Sequence, residues 1–85
     1  MQETNPSNII VYGAEHCLNC TKAVWALERA NVPYQYVHVH RNEKTRQRLL
    51  GQGYKALPVV MQRKNGQDVC LGGLTGLIQW LRRST

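Results

Sequence analysis

Two cysteines, Cys17 and Cys20, separated by two residues, stand just behind the β-branched run Ile9-Ile10-Val11-Tyr12, which Gly13 closes. The run is apolar at every position, so it reads as a strand buried on both faces. After the first cysteine the pattern changes. Cys20, Ala23, Val24, Leu27 and Ala30 recur at helical spacing, and Asn31-Val32-Pro33 stops the helix. Cys17 therefore falls in the turn that begins a helix, and Cys20 about one turn further in. Few folds put a thiol pair at a strand-to-helix junction, so this placement narrows the architectures open to the chain.

Tyr34 to His40 alternates, with Tyr36, His38 and His40 facing one way and Val37 and Val39 the other. That is a half-buried strand suited to a sheet edge. Arg41 to Gln52 is polar around Leu49-Leu50 and reads as a short, mostly exposed helix. Pro58 opens Val59–Arg63, and Asn65-Gly66 separates it from Asp68–Leu71. Asn-Gly suits a type I′ turn, which needs positive φ at both central residues, so a hairpin is expected. After Gly72-Gly73, the residues Leu74, Leu77, Ile78 and Leu81 mark a last amphipathic helix, with Thr75 its candidate cap. The order β-α-β-α-β-β-α predicts an α/β fold. It has a parallel first pair joined by a right-handed crossover, a four-stranded mixed sheet and helices on both faces.

Eighty-five residues without internal repeats or low-complexity segments predict a single domain, 1–85, with a flexible start over residues 1–7. Apolar residues at 42% and charged ones at 19% exclude a disordered chain. No apolar run is long enough for a bilayer, and the polar start is no secretory signal, so a cytoplasmic monomer that does not engage membranes is expected. Three cysteines are too few for a disulfide-stapled scaffold. The net charge is +6, but the eleven Lys and Arg are dispersed from Lys22 to Arg83. Without a basic run or interleaved aromatics, a nucleic-acid partner is not expected. The default is a solvated basic surface; an acidic protein partner is the alternative.

At a helix start, unsatisfied N–H groups and the dipole both favour a thiolate. Cys17 is therefore the expected nucleophile, and the deeper Cys20 the resolving thiol. The competing readings are a metal site and two inert core thiols. Zinc wants four ligands, and only His16, His38, His40 and Cys70 are available to complete a set. Inert thiols would line the apolar helix face, which Cys17 precedes. No metal or organic cofactor is expected.

Three blocks carry a family resemblance: IIVYGAEHCLNC, GYKALPVV and CLGGLTGLIQWL. Through them the chain resembles the glutaredoxin-like branch of the thioredoxin superfamily over nearly its whole length. It is most similar to the NrdH-type redoxins. The resemblance implies the thioredoxin fold and dithiol–disulfide oxidoreductase activity on protein disulfides, with a ribonucleotide reductase as the expected target. It also implies a cis Leu57-Pro58 bond, with Leu57 and Pro58 forming the platform for the substrate segment, and Gly73 and Thr75 completing the binding residues. Leu18-Asn19 stands where many glutaredoxins carry Pro-Tyr, a pair that tunes the redox potential. Glutaredoxins commonly hold glutathione with a Lys or Arg three residues before the first cysteine, where this chain has Ala14. They also use an acidic residue after the Gly-Gly, where it has Leu74, Thr75 and Gly76. A thioredoxin-reductase-type flavoprotein is thus expected as reductant ahead of glutathione. The alternatives are a glutathione-dependent glutaredoxin and a non-catalytic metal- or nucleic-acid-binding module.

Several other residues carry weaker expectations. His16 is a candidate modulator of the nucleophile. His38 and His40 are expected as exposed strand residues, and Cys70 as a small buried hydrophobe. Trp25 and Trp80 are expected to be partly packed on their helices. Arg41, Lys44 and Arg48 share one face of the second helix, solvated by default and a docking face in the alternative.

Overall fold

The structure is a computed structural model that describes residues 8–54 and 56–84. The expected flexible start, 1–7, lies outside these residues. The elements run β1 (Ile9–Gly13), α1 (Leu18–Arg29), β2 (Tyr34–His38), a short 3-10 turn (Val39–Arg41), α2 (Glu43–Gly51), β3 (Val59–Lys64), β4 (Gln67–Gly72) and α3 (Leu74–Ser84). The strands form one sheet in the order β2-β1-β3-β4. β1 pairs parallel with β2, placing Val11 opposite Tyr36, and antiparallel with β3, placing Val11 opposite Val60. This is the mixed sheet that the sequence pattern predicts, with β2 at an edge.

β1 is buried along its whole length because both its faces are covered. Ile9 and Val11 pack with Ala23 and Leu27 of α1, Val60 of β3 and Leu77 of α3. Ile10 and Tyr12 point the other way, to Val39, Leu49 of α2, Val59 and Met61. So α1 and α3 cover one face and α2 the other. Among the described residues, no helix is long and apolar enough to cross a membrane.

The hairpin turns at Asn65 and Gly66, both at positive φ (52° and 80°), as the Asn-Gly pair requires. Its strands are longer than the pattern suggests, and β4 bulges where Val60 pairs with Gly72 but Met61 with Cys70.

Three boundaries differ from expectation. β2 ends at His38, because Val39 turns inward to the second core cluster and starts the 3-10 turn. α2 starts at Glu43 rather than Arg41, because the Asn42 side chain accepts the Thr45 N–H at 3.2 Å and fixes the helix start there. α3 starts at Leu74, and the Gly73 carbonyl accepts the first helical bond, from Leu77 N–H at 3.0 Å. Thr75 is therefore inside the first turn and exposed, not the cap.

Gly76 lets α3 lie close to β4. A Cβ there would sit 2.9 Å from the Leu71 carbonyl carbon, a backbone atom that cannot swing aside. Gly76→Ala gains ~1 kcal/mol of helix propensity but overpacks the contact at a cost of about 3 kcal/mol. A net loss near 2 kcal/mol is expected in urea denaturation at unchanged slope; a stabilised variant would show that the helix has room to lift.

Candidate active site

β1 delivers the chain to Gly13, and residues 14–16 turn it toward α1. His16 takes a left-handed φ of 56°, uncommon for a residue with a Cβ. This turn places Cys17 at the helix N-cap in extended conformation. The Cys17 Sγ accepts the backbone N–H of Cys20 at 3.2 Å, so the sulfur does the work that a Ser or Asp oxygen does at other helix starts. The Cys17 carbonyl accepts from the Thr21 N–H at 3.1 Å and its hydroxyl at 3.2 Å. Cys17 and Cys20 are joined by a disulfide with Cα atoms 5.2 Å apart. Cys17 is half-buried at the surface, whereas Cys20 is only 1% exposed. The two sulfurs thus differ in access as their positions in the sequence predict.

Behind Cys20 stands Tyr36 of β2. Its hydroxyl donates to the Ala14 carbonyl at 3.2 Å and ties the active-site turn to the sheet. Burial raises its phenol above the usual tyrosine range, against a smaller opposing effect of that bond. A Cβ on Gly13 would fall against the Tyr36 ring, 2.8 Å from Cζ, and 3.0 Å from the Cys20 Sγ. Only glycine fits between them. Sequence reading missed both residues: Gly13 reads as a strand stop, and Tyr36 as one of three residues on an open strand face. An exposed ion pair, Arg41 with Glu15, also spans from the 3-10 turn to this loop.

An open groove of about 640 Å³ approaches the cysteine pair at Asn19 without being lined by either cysteine of the pair. It is lined by Asn19, from between the two cysteines, together with Leu57, Pro58, Gly73, Leu74 and Thr75, among others. The expected platform, Leu57 and Pro58, and the other two expected binding residues, Gly73 and Thr75, all line this one opening. The Leu57-Pro58 bond is cis, as the resemblance implies. None of the described residues lining the groove carries a charge.

Cys70 corrects an expectation. It is exposed, not buried, and lines the same groove. β4 is an edge strand whose first four residues face solvent, and nothing from α2 reaches across to cover it. A hydrogen bond with the Cys70 thiol raises the neighbouring Tyr54 phenol. Trp25 is 59% exposed, because it projects from the side of α1 opposite the core, whereas Trp80 packs partly against the first cluster. His38 is half-buried, its ring 4.9 Å from that of Tyr36, and His40 is exposed in the 3-10 turn instead of a strand. His16 is exposed before Cys17. The expected Arg41-Lys44-Arg48 face is divided. Arg41 lies before the helix and pairs with Glu15, while Arg48 donates to the Tyr12 hydroxyl at 3.2 Å. Among the described residues, no three His, Cys, Asp or Glu side chains converge on a point where a metal ion could bind.

The glutaredoxin family model matches residues 9–67, well over half of the sequence. The chain belongs to the glutaredoxin family. Its activity class follows from that membership and from the cysteine pair at the helix start: this glutaredoxin is a thiol–disulfide oxidoreductase. A comparison with curated protein sequences returned no match. Among solved structures it is similar to NrdH-redoxin from Escherichia coli, with 22% identity and a TM-score of 0.71. That alignment covers 91% of this chain and 93% of the other. It is also similar to glutaredoxin from Brucella melitensis, with 17% identity and a TM-score of 0.72 over 96% and 86% of the chains. The dithiolic glutaredoxin 2-C-Grx1 of Trypanosoma brucei brucei gives 17% identity and a TM-score of 0.71 over 94% and 82%. At these identities the likeness is one of fold.

Proposed function

We propose that this glutaredoxin carries electron pairs from a flavoprotein of the thioredoxin-reductase type to protein disulfides, in the manner of NrdH-type redoxins, with a ribonucleotide reductase as target. Cys17 is the attacking thiol. Its thiolate displaces one sulfur of the substrate disulfide, which leaves as a thiolate and takes a proton, and a mixed disulfide with Cys17 remains. The Cys20 thiolate then attacks the Cys17 sulfur and expels the second substrate thiol. The substrate has gained two electrons, and the protein is left with the Cys17–Cys20 disulfide. The reductase returns it to the dithiol. Leu57 and Pro58 offer backbone along the groove that reaches Asn19 to hold the substrate segment, with Gly73 next to Pro58 and Thr75 on the same lining. The reaction calls for a reducing compartment such as the cytoplasm.

The observation that carries this reading over a glutathione-dependent one is that none of the described residues lining the groove is charged. Glutathione is a small anionic tripeptide, and charge-assisted hydrogen bonds are the strong contacts available at an exposed site. The described lining supplies none from side chains, and diffuse attraction to a +6 protein is screened by salt and fixes no pose. The NrdH-redoxin of similar fold is itself described as a glutaredoxin-like protein with a thioredoxin-like activity profile. The deciding assay compares NADPH with thioredoxin reductase against NADPH, glutathione reductase and glutathione, at equal protein. Turnover at least about tenfold faster through the flavoprotein is expected, the effect of losing one charge-assisted contact of about 1.5–3 kcal/mol on the glutathione side. Efficient turnover with glutathione and none with the flavoprotein would make the chain a glutathione-dependent glutaredoxin, as the buckwheat relative solved in complex with glutathione suggests for the fold.

A further inference from the structure

We propose that the solvent face of α1 is a docking strip for an acidic, partly apolar segment of the protein that brings the disulfide. The proposal rests on the function above and extends it from the reacting sulfurs to the chemistry of the partner.

Leu18, Lys22, Trp25 and Arg29 follow one another at spacings of four, three and four, so they form a single line along the helix. The line lies opposite the buried Cys20, Ala23 and Leu27. Polar residues are expected on this outermost line of an amphipathic helix. Here Leu18 is 66% exposed and Trp25 59% exposed. A single exposed leucine needs no explanation. An exposed tryptophan about 10 Å away on the same line, outside both core clusters among the described residues, is different: tryptophan is among the residues enriched at binding hot spots.

Charge identifies the occupant. Lys22 and Arg29 alternate with the two apolar residues, and the line has no carboxylate. Neither cation has an ion-pair or hydrogen-bonding side-chain partner among the described residues. A second copy of this chain would bring like charges together, so the strip is not suited to self-association. Two cations over about 10 Å are sparse beside duplex DNA, which carries roughly one charge per 1.7 Å. The strip also begins at the residue after Cys17, within reach of the disulfide that a docked segment would carry. Those conditions select a protein segment with carboxylates for Lys22 and Arg29 and apolar side chains for Leu18 and Trp25. The +6 charge would speed its approach.

The test uses two synthetic peptides. Each has an internal Cys-Gly-Gly-Cys disulfide followed by a ten-residue flank of leucine mixed with glutamate in one peptide and glutamine in the other. Hydroxyethyl disulfide is the small neutral control. Single-turnover reduction by the dithiothreitol-reduced full chain, at low salt, gives second-order rate constants. The glutamate peptide is expected to react about tenfold faster than the glutamine peptide. The preference should vanish in Lys22→Glu/Arg29→Glu. Trp25→Ala should slow both peptides severalfold and leave hydroxyethyl disulfide unchanged. Equal rates for the two peptides in the wild type, or a preference that survives charge reversal, would overturn the proposal. Docking is also read without chemistry. In a Trp80→Phe background, Trp25 fluorescence is titrated with the glutamate peptide carrying serines for cysteines. Saturable binding lost on charge reversal supports the strip even if no disulfide is reduced, in which case the proposed function is what fails. Tighter binding of oligothymidylate than of the peptide would overturn the strip in favour of a nucleic-acid surface.

Discussion

A Cys17→Ser protein is expected to reduce disulfides no faster than the uncatalysed exchange, at least about three orders of magnitude below the wild type, because a serine hydroxyl at this position has no activating base and stays protonated. Cys20→Ser is expected to behave differently. Its Cys17 is still half-exposed at the helix start, so it attacks. The mixed disulfide then persists, because no second thiol lies behind it. With an excess of a disulfide-bearing peptide, mass spectrometry should show the Cys20→Ser chain carrying one peptide thiol, removable by dithiothreitol. The Cys17→Ser chain should carry none on Cys20, whose side chain is buried against the sheet. An adduct on Cys17→Ser and none on Cys20→Ser would reverse the roles. The exposed Cys70 is a third acceptor. A Cys70→Ser background keeps the comparison clean, and the trapped adduct in cell extract names the physiological target.

Gly13→Ala is expected to be strongly destabilising although Gly13 carries no side chain. The added methyl meets the Tyr36 ring on one side and the Cys20 sulfur on the other. Neither can retreat easily, since Tyr36 is held by the Ala14 carbonyl and Cys20 by the core. Overpacking at such a site costs about 3 kcal/mol, which for a chain of this size lowers the melting temperature by roughly 15 °C. The cost should be shared with Tyr36. In Tyr36→Ala the hydroxyl and ring are gone, so Gly13→Ala added to it should cost at least about 1 kcal/mol less than it does alone, a coupling of the size found for residues in contact. Additive losses in the double-mutant cycle would show that the methyl finds another way out.

The fold was legible because its signals are local. β1 is apolar at every position, α1 has helical spacing, and Asn65-Gly66 leaves little choice of turn. The cysteine pair was legible for the same reason, since a strand stop and a helix start within a few residues fix where the thiols stand. The features that escaped depend on which distant element arrives next door. Cys70 has the sequence surroundings of a buried strand residue, but it lies on the edge strand beyond the reach of α2. In the sequence pattern Tyr36 shares its strand face with His38 and His40, as an exposed residue would. Yet the parallel register with β1 brings it beside Gly13, whose missing side chain makes room for its ring. Trp25 reads as partly packed on its helix; its position on α1 turns it outward.

Cys17, the proposed nucleophile, is also the cap of its own helix, and this joins two quantities that are usually measured apart. In the disulfide the Cys17 sulfur accepts the Cys20 N–H as a neutral atom. As a thiolate it would accept the same bond with a full negative charge, at the end of the helix that favours one. The unfolded chain has no helix to offer that charge, so capping shifts the folded couple toward its reduced form. By closure of the cycle, the difference in unfolding free energy between dithiol and disulfide protein equals the shift of the reduction potential on folding, with about 1.4 kcal/mol corresponding to about 30 mV for two electrons. Two urea titrations, one under each redox condition, therefore report how far folding alone has tuned this couple.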